Sequence, residues 1–229
     1  MESRQGTLFI IATPIGNLED ITFRAIRVLK ESDLILCEDT RHTAQLLNHF
    51  EIKRPLLSYH QHSTVQKVDE IIQYLREGKS LALVSDAGTP GISDPGGVLI
   101  HQVVQALGES VRIVPIPGAS ALATMISVAG VPMDKFVFFG FLPHKKGRQT
   151  LFQEIAESER TVIFYESTHR IIKALESLVS VLAPDRQIVV GRELTKQFET
   201  IYRGSAAEVL TALQADVVKG EFVVVVSGK

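Results

Sequence analysis

Three stretches of this chain collect residue types that could do chemistry. The first, Ser85-Asp86-Ala87-Gly88-Thr89-Pro90-Gly91-Ile92-Ser93-Asp94-Pro95-Gly96-Gly97, follows the apolar run Leu81–Val84. Its glycines let the backbone come close to a ligand, and Asp94 followed by Pro95 is suited to opening a helix whose free amides and positive dipole end face the crevice. A connecting turn with no ligand can have the same composition. The loop carries Asp86 and Asp94 but no lysine, a poor set for a triphosphate. Carboxylates instead accept hydrogen bonds from ribose hydroxyls and complement positive charge. A sulfonium cofactor combines those two needs, although helix capping is the commoner use of either aspartate.

The second stretch, Glu38-Asp39-Thr40-Arg41-His42, follows the apolar Asp33–Cys37. The third, Arg192-Glu193-Leu194-Thr195-Lys196, follows Ile188–Gly191. Both put charged groups at the ends of strands, where open α/β sheets hold their ligands. Helix caps and solvated strand ends are the alternative uses. Several other chemistries lack their signatures: no G-x-G-x-x-G follows the first strand, and there is no phosphate-binding G-x-x-x-x-G-K-[ST], no G-x-S-x-G elbow and no metal-binding H-E-x-x-H. His60-Gln61-His62 has the spacing of a solvated loop as readily as that of ligands, so no metal is expected.

The elements that must position these stretches alternate strand with helix. Leu8–Ala12 is a continuous apolar run, as expected of a strand buried on both faces, and a Gly/Pro loop from Thr13 to Asp20 follows it. Asp20 is expected to cap a helix with Phe23, Ile26 and Leu29 on one face. Strands follow at 33–37, 56–58, 81–84 and 111–114, the last ending in Pro115-Ile116-Pro117-Gly118-Ala119-Ser120. Between them, helices carry Val65, Val68, Ile71, Ile72 and Leu75, then Ile100, Val103, Val104 and Leu107. Residues 1–117 therefore read as an α/β domain with a mostly parallel sheet. From 118 to 229 the texture changes to an aromatic strand (Phe136–Phe141), strands at 161–165, 188–191 and 222–226, and shorter connections with Thr200–Arg203 beside the strand at 188–191. A second α/β domain with a mixed sheet is expected there.

Composition sets the outer bounds. The chain has 229 residues, 45% of them hydrophobic, and a formal net charge of −2, which argues against a surface that is all nucleic-acid footprint. No apolar run reaches the roughly 18 residues of a membrane span, and the start lacks a signal-peptide pattern, so a cytoplasmic location away from membranes is expected. The single cysteine, Cys37, excludes an internal disulfide and reads as a buried thiol. His144-Lys145-Lys146-Gly147-Arg148 could form a basic finger, extended by Arg24, Arg27 and Lys30, or a solvated charge run.

Taken in order, the blocks GTLFIIATPIGNLEDITFRAIRVL, CEDTRHTAQLL, LVSDAGTPGISDPG, PIPGASA, FYESTHRI, GRELTKQFET and GEFVVVVSG resemble the tetrapyrrole-methylase-like class of S-adenosylmethionine-dependent methyltransferases. Within that class they look like the bacterial branch that methylates the 2′-oxygen of a cytidine in 16S ribosomal RNA. The resemblance implies the class III methyltransferase fold, two α/β domains with S-adenosylmethionine in the cleft between them. It places the cofactor against Ser85, Asp86, Ala87, Gly88, Ile92, Ser93, Ala119, Ser120, Tyr165, Glu166, Ser167, Glu221, Phe222 and Val223. For Ala87, Ile92 and Val223 packing alone is the alternative; for Ser120 it is a helix cap, and for Tyr165 a core aromatic.

On that reading Glu38, Asp39, Asp86, Glu193 and Lys196 are the candidates for relieving a ribose hydroxyl of its proton, and Arg41 and Arg192 for gripping a phosphate. The implied partners are 16S ribosomal RNA within an assembled small-subunit particle and a second copy of the chain. Relatives often carry a further C-terminal segment beyond the strand after which this chain stops, at Ser227-Gly228-Lys229. A tetrapyrrole or modified protein side chain as acceptor, and a non-catalytic nucleotide-binding module, are the alternative readings.

Overall fold

A computed structural model describes residues 5–60 and 63–229. The chain divides into two compact units, Met1–Ser120 and Ala121–Lys229. In the first, the strands β1 (Gly6–Ile11), β2 (Leu34–Cys37), β3 (Leu56–Ser58), β4 (Ser80–Val84) and β5 (Val111–Ile116) form one sheet in the order β3-β2-β4-β1-β5. Every pairing is parallel. Parallel neighbours require crossovers, and these are supplied by α1 (Phe23–Glu31), α2 (Thr40–His49), α3 (Val65–Arg76) and α4 (Gly96–Leu107).

The helices cover both faces, which is why the strands read as unbroken apolar runs. On β4 the alternation is explicit. Leu81 and Leu83 join Ile71, Leu75, Leu99 and Val103 on the α3/α4 face, while Ala82 and Val84 join Ala25, Val28, Leu29 and Leu47 on the α1/α2 face. Gly6 is required where α3 crosses the start of β1, since a Cβ there would lie 2.0 Å from the Leu75 carbonyl oxygen. Pro115 falls inside β5 and extends that strand beyond the expected Val114. It is tolerated because β5 is an edge strand, where a missing N–H need break no ladder bond.

The first helix differs from expectation. Leu18–Asp20 is a short 3-10 turn capped by Asn17, and the cap of α1 is Thr22, whose hydroxyl accepts the Ala25 N–H at 3.0 Å. The inward stripe is Ala25, Val28 and Leu29, spaced i, i+3, i+4, and Phe23 is left 94% exposed. The spacing Phe23-Ile26-Leu29 drifts off one face because two steps of three residues fall short of two helical turns.

In the second unit, β6 (Phe136–Phe141), β7 (Thr161–Ser167), β8 (Gln187–Arg192), β9 (Thr200–Ser205) and β10 (Glu221–Val226) order as β6-β7-β10-β8-β9. Only β6 and β7 pair in parallel. Helices α6 (Arg148–Glu157), α7 (Ile171–Val181) and α8 (Ala206–Gln214) cover one face, burying Phe152, Phe164, Leu175, Leu178, Phe222 and Val224. α5 (Ala121–Ala129) lies against the other, where a Cβ on Gly191 would come within 2.8 Å of the Met125 sulfur. A capping box between Ser205 and Glu208 starts α8. No helix among the described residues is long and apolar enough to cross a membrane.

Candidate active site

In the first unit, the loops leaving the carboxyl ends of β1, β4 and β5 are bonded to one another. Thr13 and Gly88 exchange backbone hydrogen bonds at 2.9 and 3.1 Å. The Thr13 hydroxyl donates to the Ser85 carbonyl at 3.0 Å and the Ser85 hydroxyl to the Gly88 carbonyl at 2.8 Å. Thr89 then reaches the Ala119 carbonyl at 3.0 Å, joining the β5 loop. Gly88 sits at φ +79°, where a side chain would be strained and would meet Ile15 at 3.3 Å. These contacts fix the backbone of Ser85–Gly88 and Ala119 at the end of the sheet where such folds bind ligands.

Carboxylates gather beside that backbone. Asp86 accepts the Asp39 N–H at 3.2 Å, tying the β4 loop to the start of α2. Asp94 draws its own loop closed, its Oδ1 accepting the Gly91 N–H at 2.6 Å and the Gly96 N–H at 2.7 Å. Its Oδ2 is buried without a hydrogen-bond partner. Glu38, Tyr59, Pro90 and Asp94 line a small pocket there. Burial pushes the Glu38 carboxyl up from the ordinary glutamate value, and Asp86 and Asp94 push it further. Asp94 is also raised, by burial first and by Asp86 last, against the opposing pull of its two backbone N–H donors. A cluster of this sign, with one buried carboxylate oxygen unsatisfied, fits a cationic, hydroxyl-bearing ligand and not a polyphosphate.

In the second unit, the two segments expected to meet the cofactor are partners in the sheet. Antiparallel pairing sets Glu221 opposite Ser167, Phe222 opposite Glu166 and Val223 opposite Tyr165. Tyr165 packs edge-on against Phe138 and Phe141, and burial raises its hydroxyl pKa. Beside them the turn after β8 is strained, with Glu193 at φ +50° and Thr195 at φ +68°. Lys196 bridges the Glu193 and Glu221 carboxylates at 2.8 and 2.9 Å. Burial opposes the charge of Lys196, yet the two carboxylates raise its pKa overall; burial likewise opposes that of Glu193, whose pKa the lysine and the Glu221 N–H lower overall.

The sequence matches the model of tetrapyrrole (corrin/porphyrin) methylases over residues 7–210. The chain belongs to that family. Among curated proteins it is 48% identical over 230 residues to ribosomal RNA small subunit methyltransferase I of Escherichia coli O157:H7, spanning 99% of this chain and 79% of the relative. The protein of the same name from Thermotoga maritima is 42% identical over 98% of this chain and 99% of its own length. Among solved structures, a cobalt precorrin-4 methyltransferase superposes with a TM-score of 0.67 at 18% identity, covering 96% of this chain and 94% of the other. The uroporphyrin-III C-methyltransferase of Thermus thermophilus complexed with S-adenosylhomocysteine gives 0.63 at 15%, covering 96% and 97%. These likenesses establish the fold: the two α/β units, one with a parallel and one with a mixed sheet, are those of the class III methyltransferase fold that the resemblance implied.

Within this methylase fold, several side chains do something other than the sequence suggested. Arg192 was a candidate for gripping phosphate; it is buried, with its guanidinium on Asp216 at 3.0 Å and on the Lys219 carbonyl at 2.9 Å. Arg148, placed in the basic finger, pairs with Glu166 at 2.9 Å and is mostly covered. The Glu166 carboxylate is itself fully buried between Arg148 and Arg170, so only its backbone is open to a ligand. Phe222 belongs to the core, so its side chain is not a ligand contact either. Asp39 caps α2 and is held well below the usual carboxylate range by Arg41, whose own side chain is 87% exposed. Of His60-Gln61-His62, Gln61 and His62 lie outside the described residues. Among the described residues no group of three or more His, Cys, Asp or Glu is placed to hold a metal. Sequence reasoning missed Thr13 and Arg170. Thr13 had a signal, since it opens the Gly/Pro loop after β1; Arg170 reads as an ordinary residue in the first turn of a helix expected over 169–182, which begins at Ile171.

Proposed function

We propose that this member of the tetrapyrrole methylase family transfers the methyl group of S-adenosylmethionine to the 2′-hydroxyl of a cytidine in 16S ribosomal RNA. The observation that carries the reading is the 42–48% identity, across 98–100% of this chain, to proteins named ribosomal RNA small subunit methyltransferase I. The carboxylate-lined crevice supports the cofactor, which supplies an already activated methyl group when bound. The fixed backbone of Ser85–Gly88, Ile92-Ser93 and Ala119-Ser120 would hold its adenosine part. Asp86 and the unsatisfied Asp94 oxygen would meet its hydroxyls or its positive charge. On the second unit, the resemblance implies cofactor contacts at Tyr165, Ser167, Glu221 and Val223, which pair across β7 and β10.

What remains for the protein is alignment of the ribose oxygen and removal of its proton. Among the candidates, Glu38 is the carboxylate that burial, and then Asp86 and Asp94, raise above the ordinary glutamate value, which suits it to accept a proton. Asp39 is committed to Arg41 and to its helix, Glu193 is committed to Lys196, and Lys196 is kept charged. Those two are better suited to orienting the strand ends than to exchanging a proton. The exposed Arg41 can reach an RNA phosphate without leaving a buried partner.

With a net charge of −2, the enzyme is expected to need an assembled small-subunit particle to present the target. It is expected to act as a homodimer in the bacterial cytoplasm, away from membranes. The test is incubation of the protein and labelled cofactor with small-subunit particles, followed by mass mapping of the RNA. Label on a cytidine ribose supports the assignment; label elsewhere, or on a tetrapyrrole offered in parallel, replaces it. Light scattering in the same buffer reads the oligomeric state.

A further inference from the structure

The carboxylate of Glu166 lies on the strand that carries Tyr165 and Ser167, yet it is fully buried and paired across the sheet with the core residue Phe222. Its Oε2 meets Arg148 Nη2 at 2.9 Å, and its Oε1 meets Arg170 Nε at 2.7 Å and the Ser167 N–H at 2.8 Å. Each arginine reaches onward to the same short piece of backbone. Arg148 donates to the Pro143 carbonyl at 3.1 Å and Arg170 to the Leu142 carbonyl at 2.9 Å. Immediately after those carbonyls come the exposed His144, Lys145 and Lys146. The turn closes where the Arg148 N–H meets the Lys145 carbonyl, next to Gly147 at φ +81°.

The arrangement is a clasp. Two forked guanidiniums share one buried carboxylate, and each gives one further hydrogen bond to the root of the basic turn, so the position of the lysines is tied to β7 and not left to a solvated loop. A carboxylate used only to neutralise a buried arginine would need neither two partners nor their convergence on Leu142 and Pro143.

We propose that Glu166 is a positioning residue for RNA docking: through Arg148 and Arg170 it holds the His144–Lys146 turn where it can meet the phosphate backbone, and it does not contribute its carboxylate to the cofactor. The inference rests on an RNA acceptor. Its test is a double-mutant cycle on small-subunit particles, crossing Glu166→Gln with the pair Lys145→Ala and Lys146→Ala. Glu166→Gln should raise KM for the particle by about tenfold at low salt, as expected when a phosphate contact is lost, with kcat changed less than about twofold and cofactor affinity by calorimetry unchanged. On the lysine-free background the same substitution should add nothing further. Additive effects, or loss of cofactor affinity with KM intact, overturn the proposal. A merely structural role would lower active protein and cofactor sites together and would not vanish on the lysine-free background. If Glu166→Gln does not fold, Arg148→Gln, which leaves the Arg170 pair in place, is read in the same cycle with the same expectations. If the unsubstituted protein transfers no label to RNA, the acceptor assignment fails instead, and the two failures are distinct.

Discussion

Asp94 should separate loop closure from charge in the first-unit crevice. Its Oδ1 accepts two N–H groups at 2.6 and 2.7 Å, joining Gly91 to Gly96 across the tip of the loop. Hydrogen bonds to a charged acceptor contribute about 1.5 kcal/mol each at the low end, so truncation removes about 3 kcal/mol. Taking away a partly buried carboxylate near Glu38 and Asp86 returns about 1 kcal/mol of that. Asp94→Ala should then cost about 2 kcal/mol, felt as an open loop, and weaken S-adenosylmethionine binding by roughly 30-fold. Asp94→Asn keeps an oxygen for both donors and should lose only a few-fold.

The pH dependence has a definite sign. Because the folded-state pKa of Asp94 is raised, ionising it opposes folding; that opposition is absent in acid, below the unfolded value, and complete once pH exceeds the folded value. The stability of Asp94→Asn relative to the unsubstituted protein should therefore rise from acid towards neutral pH. Calorimetric titration with cofactor and urea denaturation at two pH values read both effects. Equal affinities for Asp94→Ala and the unsubstituted protein would refute a role for this loop closure in cofactor binding. Equal losses in Ala and Asn variants would show that the charge matters and the loop closure does not.

If Glu38 accepts the proton, activity should fall as pH drops through its raised pKa, and Glu38→Gln should lower kcat by about 10²-fold or more with cofactor affinity nearly intact; an unchanged kcat returns Glu38 to a loop-lining role. Replacing Lys145 and Lys146 together by alanine should reduce the slope of log affinity against log salt for the particle by about two, and an unchanged slope would remove the basic turn from the RNA interface. Arg186, buried in the second unit, donates to the carbonyls of Ile155, Ala156, Ser158 and Ser227. Arg186→Met should cost about 3 kcal/mol or more in urea denaturation by leaving those acceptors unpaired, and a smaller loss would mean that water replaces the guanidinium.

Much of this architecture is legible in the sequence because it follows from burial. Leu81 to Val84 is apolar throughout since both faces of β4 are covered, and the loops after β1, β4 and β5 are rich in glycine and proline because their backbones approach each other. Asp94 sits one residue before the cap position expected of it, which Pro95 occupies, yet its carboxylate still bonds the first amide of α4, because such contacts are a local matter of two or three residues. The start of α1 did not read correctly. Asn17, Asp20 and Thr22 can all cap, and the choice among them is made by packing of Ala25, Val28 and Leu29 against the sheet. Partner choice was equally hidden for Arg148, whose carboxylate lies 18 residues away, and for Arg192, whose carboxylate lies 24 residues away.

Strand parity nevertheless contains most of what was missed in the second unit. Side chains alternate faces along a strand, so a run of three consecutive residues offers at most two to the same side. In Tyr165-Glu166-Ser167, burial of the middle side chain leaves the outer two as ligand candidates. The register then carries this across the sheet: Glu166 is paired with Phe222 and Phe222 with Arg192. All three belong on the face covered by α6, α7 and α8, where Phe222 is in the core, Glu166 finds Arg148, and Arg192 finds Asp216. Tyr165, Val223 and Gly191 are paired on the opposite face, beneath α5. One buried residue in the middle strand, Phe222, thus decides that neither the carboxylate of Glu166 nor the guanidinium of Arg192 reaches a ligand through that face. The cofactor contacts we propose for this unit reduce to Tyr165, Ser167, Glu221 and Val223.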